Sequence, residues 1–222
     1  MKDKNGKLYG LDIEIAKKIG ERLGVSVEFD RTATSVYDLM KLLSTNKIDI
    51  AMGKLSRTFE RMKYIYFSNA YAQLNQALIM NKSEIMRLKI EKNPYNYLKD
   101  HREKIGALSG TAYVEFIRSF FPKAVIIEYQ DWNDVLEALQ RGEIIAALYD
   151  NNEVVRLARQ KPEIALTATI YVLTNKKDTI GIGIAPNSPQ LLNWINMFLE
   201  INDLKLDLNK LIEKYPEVYK CD

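Results

Sequence analysis

Cysteine and histidine are almost absent: the 222-residue sequence has one of each, Cys221 and His101. A single thiol excludes an internal disulfide and any cysteine-rich metal site. The lone histidine sits in the hydrophilic stretch Lys99-Asp100-His101-Arg102-Glu103. It reads as a solvated loop residue and leaves no second imidazole for a zinc site, so neither metal nor cofactor is expected. An excess of one charge is missing too. Lys and Arg total 32 against 29 Asp and Glu, a net charge of +3, too small and too interspersed to recruit nucleic acid. No window approaches the ~18 consecutive apolar residues of a membrane span, and Met1-Lys2-Asp3-Lys4-Asn5-Gly6-Lys7 lacks the apolar core of a signal peptide. The expectation is a soluble chain. What is present, 47% hydrophobic and 27% charged residues, suits one large or two small globular domains.

Helices alternate with short apolar strands along the chain, the pattern of an α/β fold with parallel strands. Ile13, Ala16, Ile19 and Leu23 recur at helical spacing and stop at Gly24, after which Val25-Ser26-Val27-Glu28-Phe29 alternates like a strand. A helix over Val36–Leu43, a turn at Asn46, a strand over 48–52, a short helix near Thr58–Lys63 and an extended segment around Ala77–Met80 follow. The order then recurs: strand Lys104–Leu108, helix Thr111–Phe121, strand Ala124–Tyr129, helix Trp132–Gln140, strand Ile144–Leu148. The letters repeat as well, VYDLMKLLSTNKIDIAM (36–52) lying over WNDVLEALQRGEIIAAL (132–148). Two similar α/β units follow, whether the repeat is ancestral or only two amphipathic helices of like design. A strand over Thr179–Ala185 and helices over Pro189–Leu199 and Leu204–Tyr215 are left over. Their simplest home is the first unit. The expected layout is lobe 1 from 1–81 and 178–222, with lobe 2, 82–177, inserted through crossings near 80–83 and 175–179.

In open sheets, ligands sit beyond the carboxyl ends of the strands, where helix amino termini and loop amides converge. Strand 48–52 ends in Gly53-Lys54 and strand 144–148 in Tyr149-Asp150, so the repeat places Lys54 opposite Asp150. After Lys54, Ser56 and Thr58 offer hydroxyls, Thr58 suits the cap of the short helix, and Arg61 brings a planar fork suited to a carboxylate. A capped surface helix with solvated arginines is the alternative, and Arg57 and Lys63 are expected in solvent. Asp150, directly after Ala146-Ala147-Leu148, needs an ammonium, a lysine or a helix to cap.

These segments resemble the polar amino-acid-binding proteins of ABC transporters, which have the two-lobed periplasmic binding protein type II fold. GKLYGLDIEIAKKIGERLG is similar to that family's helix opening, and LSRTFERMKYIYFSNAY to its Ser-x-Thr-x-x-Arg and Phe-Ser-x-x-Tyr segment. GALSGTAYVEF and EALQRGEIIAALYDNNEV match its Gly-Thr helix start and Asp-bearing strand end. The resemblance covers nearly the whole chain. It implies a fold of two lobes, each a mostly parallel sheet flanked by helices, that closes about a hinge on a ligand in the interlobe cleft. It further implies that Arg61 clamps the ligand's α-carboxylate, helped by Ser56 and the Gly53 region and met by Thr111, while Asp150 takes the α-ammonium. The implied partners are a small amino acid or carboxylate and the membrane permease of an ABC transporter, and the implied place is periplasmic or extracellular and membrane-anchored.

Three departures stand out. The family's first strand precedes GKLYGLDIEIA, and only Met1–Asn5 stands there. Either the start is truncated or another segment or chain, as in a homo-oligomer, fills that place. Val36 replaces a frequent stacking aromatic. Lys54 replaces a small residue and either meets an acidic ligand or pairs with Asp150 across an empty cleft. Two further functions share this resemblance: a cyclohexadienyl dehydratase acting on prephenate or arogenate, whose motif GKLSRTFER approaches, and the ligand-sensing domain of a membrane receptor.

Overall fold

The computed structural model describes residues 6, 8–90 and 93–202. The expected helix over Leu204–Tyr215 lies outside them. The chain divides into two compact units, residues 1–73 with 179–220 and residues 74–178. The first crossing thus falls inside a long strand, earlier than the 80–83 read from the sequence. The architecture is the expected two-unit α/β class. Its ladders are mixed rather than mostly parallel, because in each unit a strand of the crossing or returning chain runs antiparallel to its neighbours.

The first unit opens with α1 (Leu11–Leu23), α2 (Val36–Ser44), β1 (Ile50–Ala51), a single 3-10 turn (Arg61–Lys63) and β2 (Tyr66–Phe67). The apolar stripe of α1 buries Ile15, Ala16 and Ile19, and Gly24 ends it in the left-handed conformation at φ 72°. The Ser35 side chain caps α2 by accepting from the Asp38 N–H. Residues 25–29 carry the alternation of a strand but form none. They lie mostly exposed, and among the described residues no ladder includes them. A strand is held by its neighbours more than by its own propensity.

The second unit is built from β3 (Ala72–Asn81), α3 (Lys82–Arg87), α4 (Pro94–Asp100), β4 (Lys104–Leu108), α5 (Ala112–Phe120), β5 (Val125–Tyr129), α6 (Trp132–Gln140), β6 (Ala146–Asp150), α7 (Asn151–Gln160), α8 (Ile164–Thr167) and β7 (Ala168–Ile180). Its sheet runs β5-β4-β6-β3-β7. β4 is parallel to both β5 and β6, and β6 is antiparallel to β3. Both faces are covered, and the side chains alternate accordingly. Leu78, Met80, Ala146 and Leu148 pack with Val114 and Ile117 of α5, while Ala77, Ile79 and Ala147 pack with Val135 and Leu139 of α6. Burying each such Leu or Ile stabilises the unit by roughly 1.5–3 kcal/mol.

The chain then returns as β8 (Gly183–Ile184) and α9 (Pro189–Ile201). The single strand expected over Thr179–Ala185 is interrupted at Gly181–Ile182, yet the run is bonded on both sides. Arg57 N–H donates to the Thr179 carbonyl at 2.9 Å, and the Tyr71 N–H to that of Ile180 at 3.0 Å. β8 pairs antiparallel with β1 and with β2, giving the order β1-β8-β2.

The internal repeat is visible in three dimensions. α2 and α6 have 9 residues each, and both are followed by a left-handed residue, Asn46 at φ 55° and Gly142 at φ 70°. β1 and β6 then start at aligned positions. They end differently: β6 lies between β4 and β3 and extends to Asp150, whereas β1, paired among the described residues with β8 alone, stops at Ala51.

Candidate functional site

In the first unit the stretch after β1 departs from the extended chain immediately. Gly53 has φ 138° and Lys54 φ 60°, so Lys54 lies in a left-handed turn while Asp150 ends a strand. The equivalence read from the repeat does not hold at this pair. A Cβ on Gly53 would meet nothing within 4 Å, so the glycine is required by its backbone conformation, with open space above it. The Lys54 N–H donates to Asp12, whose Oδ1 also accepts from the Tyr71 hydroxyl at 2.7 Å. Burial raises the Asp12 pKa, and these two bonds oppose the rise. Burial, and then the Asp12 charge, push the Tyr71 phenol well above its ordinary value. The trio is not signalled by local spacing, because Asp12 and Tyr71 lie in two separate segments, GKLYGLDIEIAKKIGERLG and LSRTFERMKYIYFSNAY.

Ser56, Thr58 and Arg61 do come together. The Arg61 Nη1 donates to the Ser56 carbonyl at 2.9 Å, which aims the guanidinium. Thr58 caps the turn, its hydroxyl accepting from the Arg61 N–H at 3.4 Å and its carbonyl from the Met62 N–H at 3.1 Å. The expected helix contracts to one 3-10 turn. Ser56 and Thr58 are buried at 7% and 5% exposure. Ser56 bridges to Ile180, so its backbone is fixed by the returning chain. Lys63 is exposed and pairs with Glu60 at 2.7 Å. Arg57 is half-buried rather than in solvent as expected. Its stem covers Gly181, where any Cβ would meet its Cδ at 2.8 Å, and its Nε is buried with no hydrogen-bond partner among the described residues.

In the second unit Asp150 is fully buried. Its Oδ1 accepts from the Glu153 N–H at 3.1 Å, capping α7, and its Oδ2 accepts from the Tyr113 hydroxyl at 2.9 Å. The capping role weighed in the sequence is therefore real, and Tyr113 is an unforeseen neighbour. Burial, followed by the charge of Asp150, raises the Tyr113 pKa, so this phenol stays protonated and donates. Tyr113 also packs on Tyr149 at 4.9 Å between centroids, and Tyr149 stacks on Trp132 at 4.3 Å. Thr111 precedes α5. Its hydroxyl donates to the Leu108 carbonyl at 2.7 Å, and no side chain caps the helix, so the first-turn amides point outward with the positive end of the helix.

His101 is exposed, stacked on Tyr97 at 4.1 Å. Among the described residues, no group of three or more His, Cys, Asp and Glu could hold a metal ion, and no helix is long and apolar enough to cross a membrane.

Two α/β units joined by two crossings, with β6 ending on Asp150 at the start of α7 and β1 followed by the Gly53-Lys54 turn, have the architecture of the type II periplasmic binding proteins. Within it, the chain belongs to the bacterial extracellular solute-binding proteins, family 3, matched over residues 1–217. It is 26% identical to the glutamine-binding protein of Geobacillus stearothermophilus over 183 residues, 81% of this chain and 65% of that protein. It is 25% identical to the ABC transporter glutamine-binding protein GlnH of Bacillus subtilis (strain 168) over 217 residues, 97% of this chain and 73% of that one. Among solved structures, a crystal structure of an ancestral amino acid-binding protein, described as a precursor of cyclohexadienyl dehydratase, shares 27% identity. Its TM-score is 0.65, with 97% of this chain and 88% of that one covered. The chain thus spans just under two thirds of the Geobacillus relative.

Proposed function

We propose that this protein captures a free amino acid outside the cytoplasm and presents it to the membrane permease of an ABC transporter. The observation that carries the reading is the Arg61 guanidinium aimed by the Ser56 carbonyl at 2.9 Å on a turn capped by Thr58. A planar fork held this way suits a carboxylate bidentately. In this reading Ser56, Thr58 and the amides at Gly53 and Lys54 assist Arg61. Thr111 and the uncapped start of α5 supply further donors to the carboxylate, and Asp150 receives the ammonium. The crossings near 73–74 and 178–179 serve as the hinge, and closure is what a permease reads.

Isothermal titration calorimetry with L-glutamine, L-arginine, L-lysine and L-histidine tests this directly. Binding of at least one at micromolar Kd is expected, and heat from none of them refutes the amino-acid assignment. A second reading is favoured by one finding, the similarity to a protein described as a dehydratase precursor. Incubation with prephenate and arogenate, followed by absorbance of the aromatic product, separates the two, since a binder gives no turnover.

A further inference from the structure

Gln76 is the most anomalous side chain of the second unit. It stands in β3 directly opposite Asp150 of β6, so the two side chains leave the sheet on one face with Cβ atoms roughly 5 Å apart. On that face the row continues with Leu78 and Met80 from β3 and with Ala146 and Leu148 from β6, all fully buried. An apolar residue is what the row calls for at position 76. A glutamine stands there at 0% exposure, and among the described residues neither its Oε1 nor its Nε2 has a hydrogen-bond partner. Each unmet amide atom carries a desolvation penalty that leucine would not incur. A local choice that opposes the surrounding pattern without compensation within the fold marks function more often than structure.

We propose that Gln76 is a ligand-contacting residue, its Oε1 accepting from the same ammonium that Asp150 receives. This rests on the amino-acid reading above. An ammonium brings three N–H donors, and both Asp150 oxygens are already engaged in part, by Glu153 N–H and by Tyr113. One such carboxylate does not satisfy three donors. The Gln76 carbonyl, on the same face and directly across the ladder, supplies another acceptor, and Nε2 is left to donate to an oxygen of the same ligand. Gln76 would then favour zwitterionic amino acids over molecules carrying a carboxylate alone. Tyr113 acts differently, because its hydroxyl donates to Asp150 and fixes the carboxylate, so it positions without receiving the ammonium.

The test is calorimetry of wild type, Q76L and Q76N with L-glutamine, L-arginine, L-lysine and L-histidine, together with thermal melting of each ligand-free protein. For whichever amino acid binds wild type, Q76L is expected to raise Kd about ten-fold or more, the loss of a hydrogen bond to a charged group. Its ligand-free melting temperature is expected to be unchanged or higher, because two unmet polar atoms are gone. Q76N keeps both the acceptor and the donor on a side chain one methylene shorter, so its Kd should lie below that of Q76L. A Kd within two-fold of wild type in folded Q76L overturns the proposal and makes Gln76 structural. If Q76L melts lower and binds weaker, Q76N decides, and a Kd there no lower than that of Q76L also overturns it. Absence of amino-acid binding by wild type is a different failure, of the amino-acid reading itself.

Discussion

Replacing Tyr71 by phenylalanine removes a single oxygen and no packing volume. In the wild type that oxygen donates to Asp12 at 2.7 Å, and Tyr71 is only 2% exposed, so water cannot take its place without opening the core of the first unit. A hydrogen bond to an ionised group is worth about 1.5–3 kcal/mol. For a chain of this size that corresponds to a melting temperature lower by about 3–12 °C. The pH dependence gives the sharper test. Burial raises the Asp12 pKa above its ordinary 3.8. For an acid shifted upward, the stabilising contribution is fully present below the unfolded-state pKa and is lost as pH rises through the higher folded-state value. The Tyr71 hydroxyl and Lys54 N–H reduce this loss. Without the hydroxyl the pKa climbs further, so the Y71F deficit is largest near pH 7. At pH 3 Asp12 is protonated in both proteins and only a neutral bond of about 0.5–1.5 kcal/mol is missing. Differential scanning calorimetry at pH 7 and pH 3 measures both deficits. Equal deficits, or none at pH 7, would refute the reasoning. The same carboxylate holds the Lys54 amide two residues before Ser56, so Y71F should also weaken amino-acid binding several-fold.

Other substitutions separate folding from ligand capture. R61K keeps the charge but loses the fork that bonds Ser56; calorimetry should show Kd raised about 10–100-fold, with the melting temperature within a few degrees of wild type. D150N preserves an oxygen for the Glu153 N–H, since asparagine caps helices as well as aspartate does. Stability should therefore fall by no more than about 1 kcal/mol by urea titration, while the loss of charge should raise the amino-acid Kd at least 10-fold. G53A places a Cβ in open space at φ 138°, so its cost is backbone strain alone, about 1–3 kcal/mol, read as a lower urea midpoint. T58A removes the oxygen that accepts from the Arg61 N–H and should cost about 0.5–2 kcal/mol in the same titration, together with weaker binding.

Part of the second unit was legible nearly to the residue, whereas its long β7 (Ala168–Ile180) and the helices α3, α4 and α8 were not, and β6 lies two residues later than expected; among the described residues the first unit lacks one expected strand altogether. Trp132–Gln140 is the helix read from the sequence, and β4 and β5 lie within a residue of expectation, because each strand has a neighbour that holds it in the sheet. Val25–Phe29 alternates more strictly than Val125–Tyr129, which reads Val-Ile-Ile-Glu-Tyr, yet among the described residues only the latter is paired. Alternation reports which residues suit a pleated surface, and it carries no information about whether a partner strand is present.

The site shows the same division between what local spacing encodes and what the fold decides. Ser56, Thr58 and Arg61 are close in sequence, so a cap and a fork could be read directly, and the bond from Arg61 to the Ser56 carbonyl falls within that spacing. Arg57, one residue from Ser56, could not be placed this way. Its partial burial depends on Gly181, which the returning chain brings to its side chain, and nothing near residue 57 signals that contact. Gln76 poses the same difficulty more acutely. In the sequence it is one polar residue among Ala72-Gln73-Leu74-Asn75-Gln76-Ala77, unremarkable next to Gln73 and Asn75. Only the register that sets it against Asp150, and the burial that denies it water, distinguish it from its neighbours. Two neighbours of the same chemistry thus acquire unequal weight from long-range pairing alone, and substitution of Gln73, which is exposed, by leucine should leave the amino-acid Kd unchanged where that of Gln76 does not.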